Sequence, residues 1–229
     1  MSTGLNKPGE MPGNPLTRGI KRLLDMALAA TGLIVLSPVM AVTAIAVRIS
    51  MGRPVIFCHG RIGYREGHFR IFKYRTMKNS FDSAGNPLPD EQRVTKLGIL
   101  LRKSSLDELP ELWNVLRGEM SLVGPRPLLE RYQPYYTDLE RKRFWVRPGI
   151  TGLAQISGRN HLGWDARLSC DVQYVENWSL WLDITIIFKT VATVLFARGI
   201  VVAPATEMLN FDDERIAKLS SYVESEVTP

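Results

Sequence analysis

Residues Met26–Val47 read MALAATGLIVLSPVMAVTAIAV, 22 positions without a charged side chain. That run meets the roughly 20 apolar residues a straight helix needs to cross a bilayer. A soluble core helix is seldom apolar on every face, and a cleavable signal has a shorter apolar centre nearer the terminus. Two details argue against a simple crossing. Arg18, Lys21 and Arg22 precede the run and Arg48, Arg53, Arg61 and Arg65 follow it, so the preference of basic flanks for the cytoplasmic side pulls both ends to one face. At the midpoint stands Ser37-Pro38. Proline lacks the amide that would bond the Ile34 carbonyl, and its ring presses on that carbonyl. A kink is expected there, with the Ser37 hydroxyl placed to satisfy the freed backbone. Two half-helices of about 11 residues would each run about 16 Å, enough to enter one leaflet and return. The expectation is a re-entrant membrane helix over 18–50, broken at Ser37-Pro38; a kinked span that crosses fully is the alternative.

Outside this run the chain reads as one domain with a modest elaboration: 229 residues, 45% hydrophobic and 23% charged. Its two cysteines, Cys58 and Cys170, form neither a disulfide framework nor a metal-ligand spacing, which excludes a small secreted scaffold and favours a reduced, cytosol-facing setting. The net charge of +6 is unevenly spread. Residues 1–79 carry 12 basic and 3 acidic groups, residues 80–198 carry 15 and 14, and residues 199–229 carry 2 and 6. A nucleic-acid-binding domain does not usually distribute charge this way, and no stacking aromatics alternate with the bases, so no nucleic acid partner is expected. A chain held against an anionic surface by its front end fits better.

The elements follow from local pattern. Residues 1–17, rich in Gly and Pro, read as a mobile tail. Val55–Cys58 reads as a strand and His68–Met77 as its hairpin partner. Residues 80–92 form a polar loop, Val94–Lys103 has helical spacing, and a second helix starts near Asp107. Gly124, Pro125 and Pro127 interrupt regular structure over 118–128. Leu129–Phe144 reads as a charged helix, and Arg147–Gly158 as loop or short strand. Trp178–Phe196 is an apolar helix with a narrow polar stripe of Asp183, Thr190 and Ala197; it packs on the core or lies among lipid headgroups with its tryptophans at the interface. Residues 201–229 read as a solvated acidic tail with one weak helix at most. The fold class expected is α+β, mainly helical: the re-entrant hairpin, a small catalytic domain over 51–200 with short strands and interfacial amphipathic helices, and the two tails.

Walker, dinucleotide, Cys-pair and spaced-His motifs are missing. Clustered arginines stand instead in Gly124-Pro125-Arg126-Pro127, Arg147-Pro148-Gly149 and Gly158-Arg159-Asn160. Guanidinium forks match phosphate oxygens, and loops with little side-chain bulk let amides approach an anion, so three such loops suggest a polyanionic ligand. An arginine beside a proline turn is also an ordinary surface residue. The adjacent Asp107-Glu108 admits two readings. Ser105 and Glu108 fit a capping box. Alternatively Asp107 is itself the cap, because Pro110 is tolerated only in a first helical turn. Both carboxylates would then lie at the positive helix end, where an aspartate stays ionised and nucleophilic and where a pair of carboxylates suits Mg²⁺ together with phosphates.

At these residues the sequence resembles the bacterial monotopic phosphoglycosyl transferases, also called the bacterial sugar transferase family. The matching strings are Lys21-Arg22-Leu23-Leu24-Asp25 ahead of the apolar run, Phe72-Lys73-Tyr74-Arg75-Thr76-Met77, Ser105-Leu106-Asp107-Glu108-Leu109-Pro110 with Leu112-Trp113-Asn114, Gly124-Pro125-Arg126-Pro127, Arg147-Pro148-Gly149-Ile150-Thr151-Gly152, Gly158-Arg159-Asn160 and Asp171–Asn177. The length is similar to the small members that consist of the catalytic unit alone, the type that initiates bacterial N-linked glycosylation; larger members carry further membrane helices ahead of it.

The resemblance implies transfer of a sugar 1-phosphate from a UDP-sugar to undecaprenyl phosphate at the cytoplasmic face of the bacterial inner membrane, with release of UMP, as the first step in assembling a membrane-linked polysaccharide or glycoprotein glycan. It implies Asp107 as covalent nucleophile with Glu108 beside it and Mg²⁺ at this dyad. Lys73, Arg102, Arg126, Arg147, Arg159 and Asn160 are the expected phosphate and nucleotide contacts. The expected partners are the UDP-sugar, undecaprenyl phosphate, membrane lipid and, as a homodimer, a second copy of the chain. The competing reading is a non-catalytic membrane-associated module that binds anionic lipid or nucleotide through its arginine loops; the intact dyad favours the enzyme.

Overall fold

A computed structural model of the chain describes residues 12–158, 162–195 and 209–227. Helix α1 (Pro15–Val35) begins where Asn14 caps it, its Oδ1 accepting from the Thr17 amide at 2.8 Å, with Pro15 at a first-turn position that needs no amide. The stretch read as tail to residue 17 is thus helical from Pro15. After Leu36, α2 (Ser37–Met51) departs at 63°. The bend has the expected cause: Ser37 Oγ donates to the Ile34 carbonyl at 2.7 Å, in place of the amide Pro38 lacks. Among the described residues no single helix is long and apolar enough to cross a membrane, whereas this bent pair reaches that length and composition together. Leu23, Leu28, Ile34, Val42 and Ile45 remain exposed along it.

What α1 buries is partly apolar and partly ionic. Ala29 packs with Phe69, Ile71, Leu112, Val115 and Met120 in one cluster. Two turns earlier, Lys21 Nζ lies 2.6 Å from Asp183 Oδ2 and 3.2 Å from the Val123 carbonyl. Asp25 accepts from Ser121 Oγ at 2.8 Å and from the Leu122 amide at 3.1 Å. Asp183 also accepts from Tyr174 Oη at 2.7 Å and Trp178 Nε1 at 3.2 Å. Every buried charge here has a partner, as a low-dielectric site requires.

The domain is α+β and mainly helical, with two small sheets. Strands β1 (Ile56–Ile62) and β2 (His68–Tyr74) form the expected antiparallel hairpin, Ile56 opposite Tyr74 and Ile62 opposite His68. Strands β3 (Ser121–Val123) and β4 (Gly149–Thr151) pair in parallel. The glycine of Gly124-Pro125-Arg126-Pro127 is required by this second sheet, since a Cβ on Gly124 would lie 2.3 Å from the Arg147 carbonyl oxygen. Between the sheets run α3 (Asp90–Arg93), α4 (Lys96–Ser104) and α5 (Glu111–Arg117). After them come α6 (Leu153–Ser157), α7 (Trp164–Glu176), α8 (Leu180–Leu195) and α9 (Phe211–Val227).

Three segments depart from the sequence reading. The helix expected over Leu129–Phe144 is instead two tight 3-10 segments, Glu130–Tyr135 and Glu140–Trp145. Pro134 removes a helical amide, and burial of Tyr132, Tyr136 and Phe144 in one cluster outweighs helical propensity. Arg147–Gly158 contains the helical turn α6 besides β4. The acidic stretch read as solvated carries α9, whose Phe211 is fully buried against Tyr132, Tyr136 and Trp164. An aromatic contact, together with ion pairs of Arg215 to Glu140 and Asp165 and of Lys218 to Asp165, docks a helix that charge composition assigned to water.

One face of helix α8 packs on the core, the first of its two readings. Asp183 and Ile186 face the core, and Thr190 bonds Thr151 at 2.7 Å. Trp181 and Phe188 stay 75% and 72% exposed. The Asp183 junction yields a prediction. Asp183→Ala strands the Lys21 ammonium and should destabilise the fold by about 3–5 kcal/mol, read as a shift of the denaturation midpoint; a change under 1 kcal/mol would contradict the role given to this pair.

Candidate active site

Helix α4 ends at Ser105, a non-glycine residue in the left-handed region at φ 56°. The next three residues, Leu106–Glu108, make a 3-10 turn, and α5 starts at Glu111 with Pro110 as its cap. Neither helix-start reading of the dyad holds. Ser105 terminates α4 and makes no side-chain cap bond, so no capping box forms; Asp107 lies inside the turn and is not the cap of α5. The physical reason is local: Ser105 in the left-handed region ends α4 and turns the chain directly into the 3-10 segment.

The turn separates the two carboxylates chemically. Glu108 Oε1 accepts from Lys73 Nζ at 2.7 Å and from Arg126 Nη2 at 2.6 Å. Burial alone would raise its pKa, but Arg126 and Lys73 overcome that and hold Glu108 well below the usual carboxylate range. Asp107 is 9% exposed, and no described residue donates a hydrogen bond to its carboxylate. Burial, then repulsion from Glu108, lift its pKa to about 6 against the pull of Lys73, Arg126 and Arg102. A carboxylate that is ionised at neutral pH, desolvated and unencumbered has the properties of a nucleophile.

The cations are held from outside the turn. Lys73 comes from β2, which Asn114 of α5 clamps: its Oδ1 accepts from the Phe72 amide at 3.1 Å and its Nδ2 donates to the Arg70 carbonyl at 2.8 Å. Arg126 is 40% exposed, with donors to spare for a ligand. Its loop is braced by Arg143, whose Nη2 donates to the Arg126 carbonyl at 2.6 Å and to Asp171 at 2.9 Å. Arg102 bonds Thr76 Oγ1 at 3.1 Å, close enough to Asp107 to act on its charge.

The structure therefore brings Asp107, Glu108, Lys73, Arg126 and Arg102 together. Arg147 goes elsewhere: its Nε donates to the Gly118 carbonyl at 2.8 Å, its guanidinium lies over the Tyr64 ring, and no hydrogen bond or ion pair joins it to the dyad. Arg159 and Asn160 lie outside the described residues. Glu111 was not singled out in the sequence, yet it is fully buried 3.0 Å from Lys73, its pKa raised by burial despite that lysine. Arg143 and Asp171 were missed as well. Asp171 opens the string Asp171–Asn177 while Arg143 lies in none, and the action of the pair depends on a contact across 28 residues of chain.

Among the described residues no cluster of three or more His, Cys, Asp or Glu side chains is arranged around an ion. Asp107 and the Glu108 oxygen left by Lys73 and Arg126 fit a cation such as Mg²⁺ that takes a few protein oxygens and completes its shell with phosphates and water.

Comparison with known proteins identifies this architecture. The model of the family described as bacterial sugar transferase matches residues 16–197. The sugar transferase EpsL of Bacillus subtilis (strain 168) is 49% identical over 181 residues, covering 79% of this chain and 90% of EpsL. The UDP-galactose-lipid carrier transferase of Erwinia amylovora is 39% identical over 200 residues, covering 80% of this chain and 42% of that protein. The undecaprenyl-phosphate glucose phosphotransferase of Komagataeibacter xylinus is 39% identical over 199 residues, covering 78% of this chain and 36% of that protein. With a desolvated dyad ringed by cations and matches that run through it on both sides, the chain belongs to the bacterial sugar transferase family.

Proposed function

We propose that this enzyme transfers a sugar 1-phosphate from a UDP-sugar to undecaprenyl phosphate, with Asp107 as covalent nucleophile. The observation that carries the reading is the asymmetry of the dyad: Glu108 engaged by two cations, Asp107 buried beside them with its carboxylate unbonded. In the first half-reaction an Asp107 oxygen attacks the β-phosphorus of the UDP-sugar. The bond from that phosphorus to the bridging oxygen breaks, and UMP leaves with the oxygen and its electron pair. In the second, a phosphate oxygen of undecaprenyl phosphate attacks the same phosphorus and the Asp107 carboxylate departs, leaving the polyprenyl diphosphate sugar. Phosphoryl transfer of this kind needs charge neutralisation and in-line placement above all. Arg126 supplies unused guanidinium donors to the diphosphate, Lys73 keeps Glu108 ionised and placed, and Arg102 adds positive charge beside the nucleophile. Mg²⁺ held by Asp107 and Glu108 would offset further charge on the diphosphate.

The membrane arrangement belongs to the same proposal. The bent α1–α2 pair enters one leaflet from the cytoplasmic side and returns, and the bare face of α8 with Trp181 and Phe188 lies at the interface. Tyr74 Oη donates to the Met40 carbonyl at 2.9 Å, and the Arg75 guanidinium bonds the Arg53 and Met51 carbonyls. The strand that carries Lys73 is thereby tied to the returning helix, which supports a dyad held at the depth of a lipid phosphate.

Three tests follow. Detergent-purified enzyme given Mg²⁺, undecaprenyl phosphate and a panel of UDP-sugars should release UMP at a rate that climbs as pH rises through about 6, where Asp107 ionises. Asp107→Asn should lower the rate about 10⁴-fold or more; wild-type rates in that variant would exclude the covalent mechanism. Because burial raises the Asp107 pKa, its favourable contribution to stability is complete below its unfolded value of 3.8 and is lost as pH rises through about 6. The inactive Asp107→Asn protein should therefore be more stable than wild type at pH 7.5, by about 3 kcal/mol, with the gap closing toward pH 4; an equal gap at both pH values would contradict the desolvated carboxylate. For topology, single cysteines near residues 18 and 53 should react with an impermeant reagent from the same side of sealed vesicles, and labelling from opposite sides would replace the re-entrant pair with a full crossing.

A further inference from the structure

Arg147 belongs to a second cationic site. The dyad precedes α5, and the Gly118 carbonyl that holds Arg147 follows it. Seven residues of helix separate the two by about 10 Å. Arg147 there lines a shallow recess, open to solvent, with Arg18, Lys21, Arg22, Asp25 and Ser121.

Not all of these charges are satisfied. Lys21 is neutralised by Asp183 and Asp25, and Asp25 is in turn bonded by Ser121 and Leu122. Among the described residues no carboxylate forms an ion pair with Arg22 or Arg147; Asp25, which Lys21 already engages, acts on Arg22 only through space. Arg22 donates through Nη1 and Nη2 to the Val115 and Leu116 carbonyls at 2.7 and 3.0 Å, and Arg147 donates through Nε to Gly118. Carbonyls orient a guanidinium without cancelling its charge. Two such cations on one recess repel each other, and an anion between them turns that cost into attraction. Among the described residues none accepts a hydrogen bond from the two Nη nitrogens of Arg147, which present a fork that matches two oxygens of a phosphate.

The position of the recess indicates where that phosphate comes from. Exposed Leu23, Leu24, Met26 and Leu28 begin directly after Arg22 on α1. On the other side Arg18 Nε donates to the Gly13 carbonyl, Gly13 lies against the Trp178 ring, and exposed Trp181 follows. A basic recess bounded by bare apolar side chains and an exposed tryptophan has the profile of a surface at headgroup depth. We propose that the Arg22–Arg147 recess is an anion site, separate from the dyad, that seats the phosphate of a membrane phospholipid headgroup. The chain then docks through one specific lipid contact in addition to apolar insertion. The proposal does not depend on the role given to Asp107.

The test uses the full chain in mild detergent, without UDP-sugar, and counts bound lipid by native mass spectrometry during titration with phosphatidylglycerol, phosphatidylcholine or inorganic phosphate. Wild type and Asp107→Asn should each retain one phosphatidylglycerol, and phosphatidylcholine, with its own cation, should bind more weakly. Arg147→Gln should weaken phosphatidylglycerol binding about tenfold or more, with a melting curve to verify folding. Should that variant fail to fold, Arg147→Lys keeps the charge but loses the fork, and it too should bind less lipid. If inorganic phosphate saturates wild type but not the Arg147 variant while phosphatidylglycerol binds neither, the phosphate site stands and its source is a soluble anion. Equal binding of every probe by wild type and the folded Arg147 variant, or no binding by wild type, overturns the proposal.

Discussion

The Lys21 ammonium is buried, and a buried ammonium must be paired. Asp183 and Asp25 pair it, and through them three elements distant in sequence meet: α1, the β3 backbone at Ser121 and Leu122, and the start of α8. The requirement is electrostatic, so it specifies one arrangement where apolar packing alone would tolerate several. With α1 fixed, Ala29 packs beside Leu112 and Val115, which places α5, and α5 places the turn that carries the dyad. The helix pair read as a membrane element is therefore a wall of the catalytic domain as well.

A second consequence of scarce solvation shapes the site. Two adjacent carboxylates in one turn cannot both be ionised cheaply, and the structure gives the cations to one of them. Glu108 takes Lys73 and Arg126, while Asp107 keeps a desolvated charge to which no described residue donates a hydrogen bond. The supporting shell is built to maintain this asymmetry. Asn114 holds the strand under Lys73, and the buried Arg143–Asp171 pair holds the loop under Arg126. The arginine loops, which look alike in sequence, serve different places: Arg126 faces the dyad, and Arg147 faces α1 beyond the far end of α5.

Legibility followed the range of the governing force. The kink at Ser37-Pro38 could be read because its cause is local, a missing amide and a hydroxyl one residue away. The β1–β2 hairpin and α4 were readable for the same reason, each being a periodic pattern near its turn signals. The helix expected over Leu129–Phe144 failed because its aromatics are claimed by a core that includes Phe211, about 70 residues later in the chain. The dyad was recognisable as chemistry, but its backbone was misread: a helix-start pattern and a 3-10 turn after a left-handed Ser105 share the same residue string.

By itself the sequence determined the apolar run with its kink, the family through its ordered motifs, and the residue types from which a phosphate-handling site is built. Those depend on composition and on neighbours a few positions apart. Only the tertiary structure decided which acid is free and which is engaged, which arginines share a site, and that an acidic segment docks through a buried phenylalanine and the ion pairs around it. These outcomes turn on desolvation and on charges brought together from remote parts of the chain, and neither exists until the chain has folded.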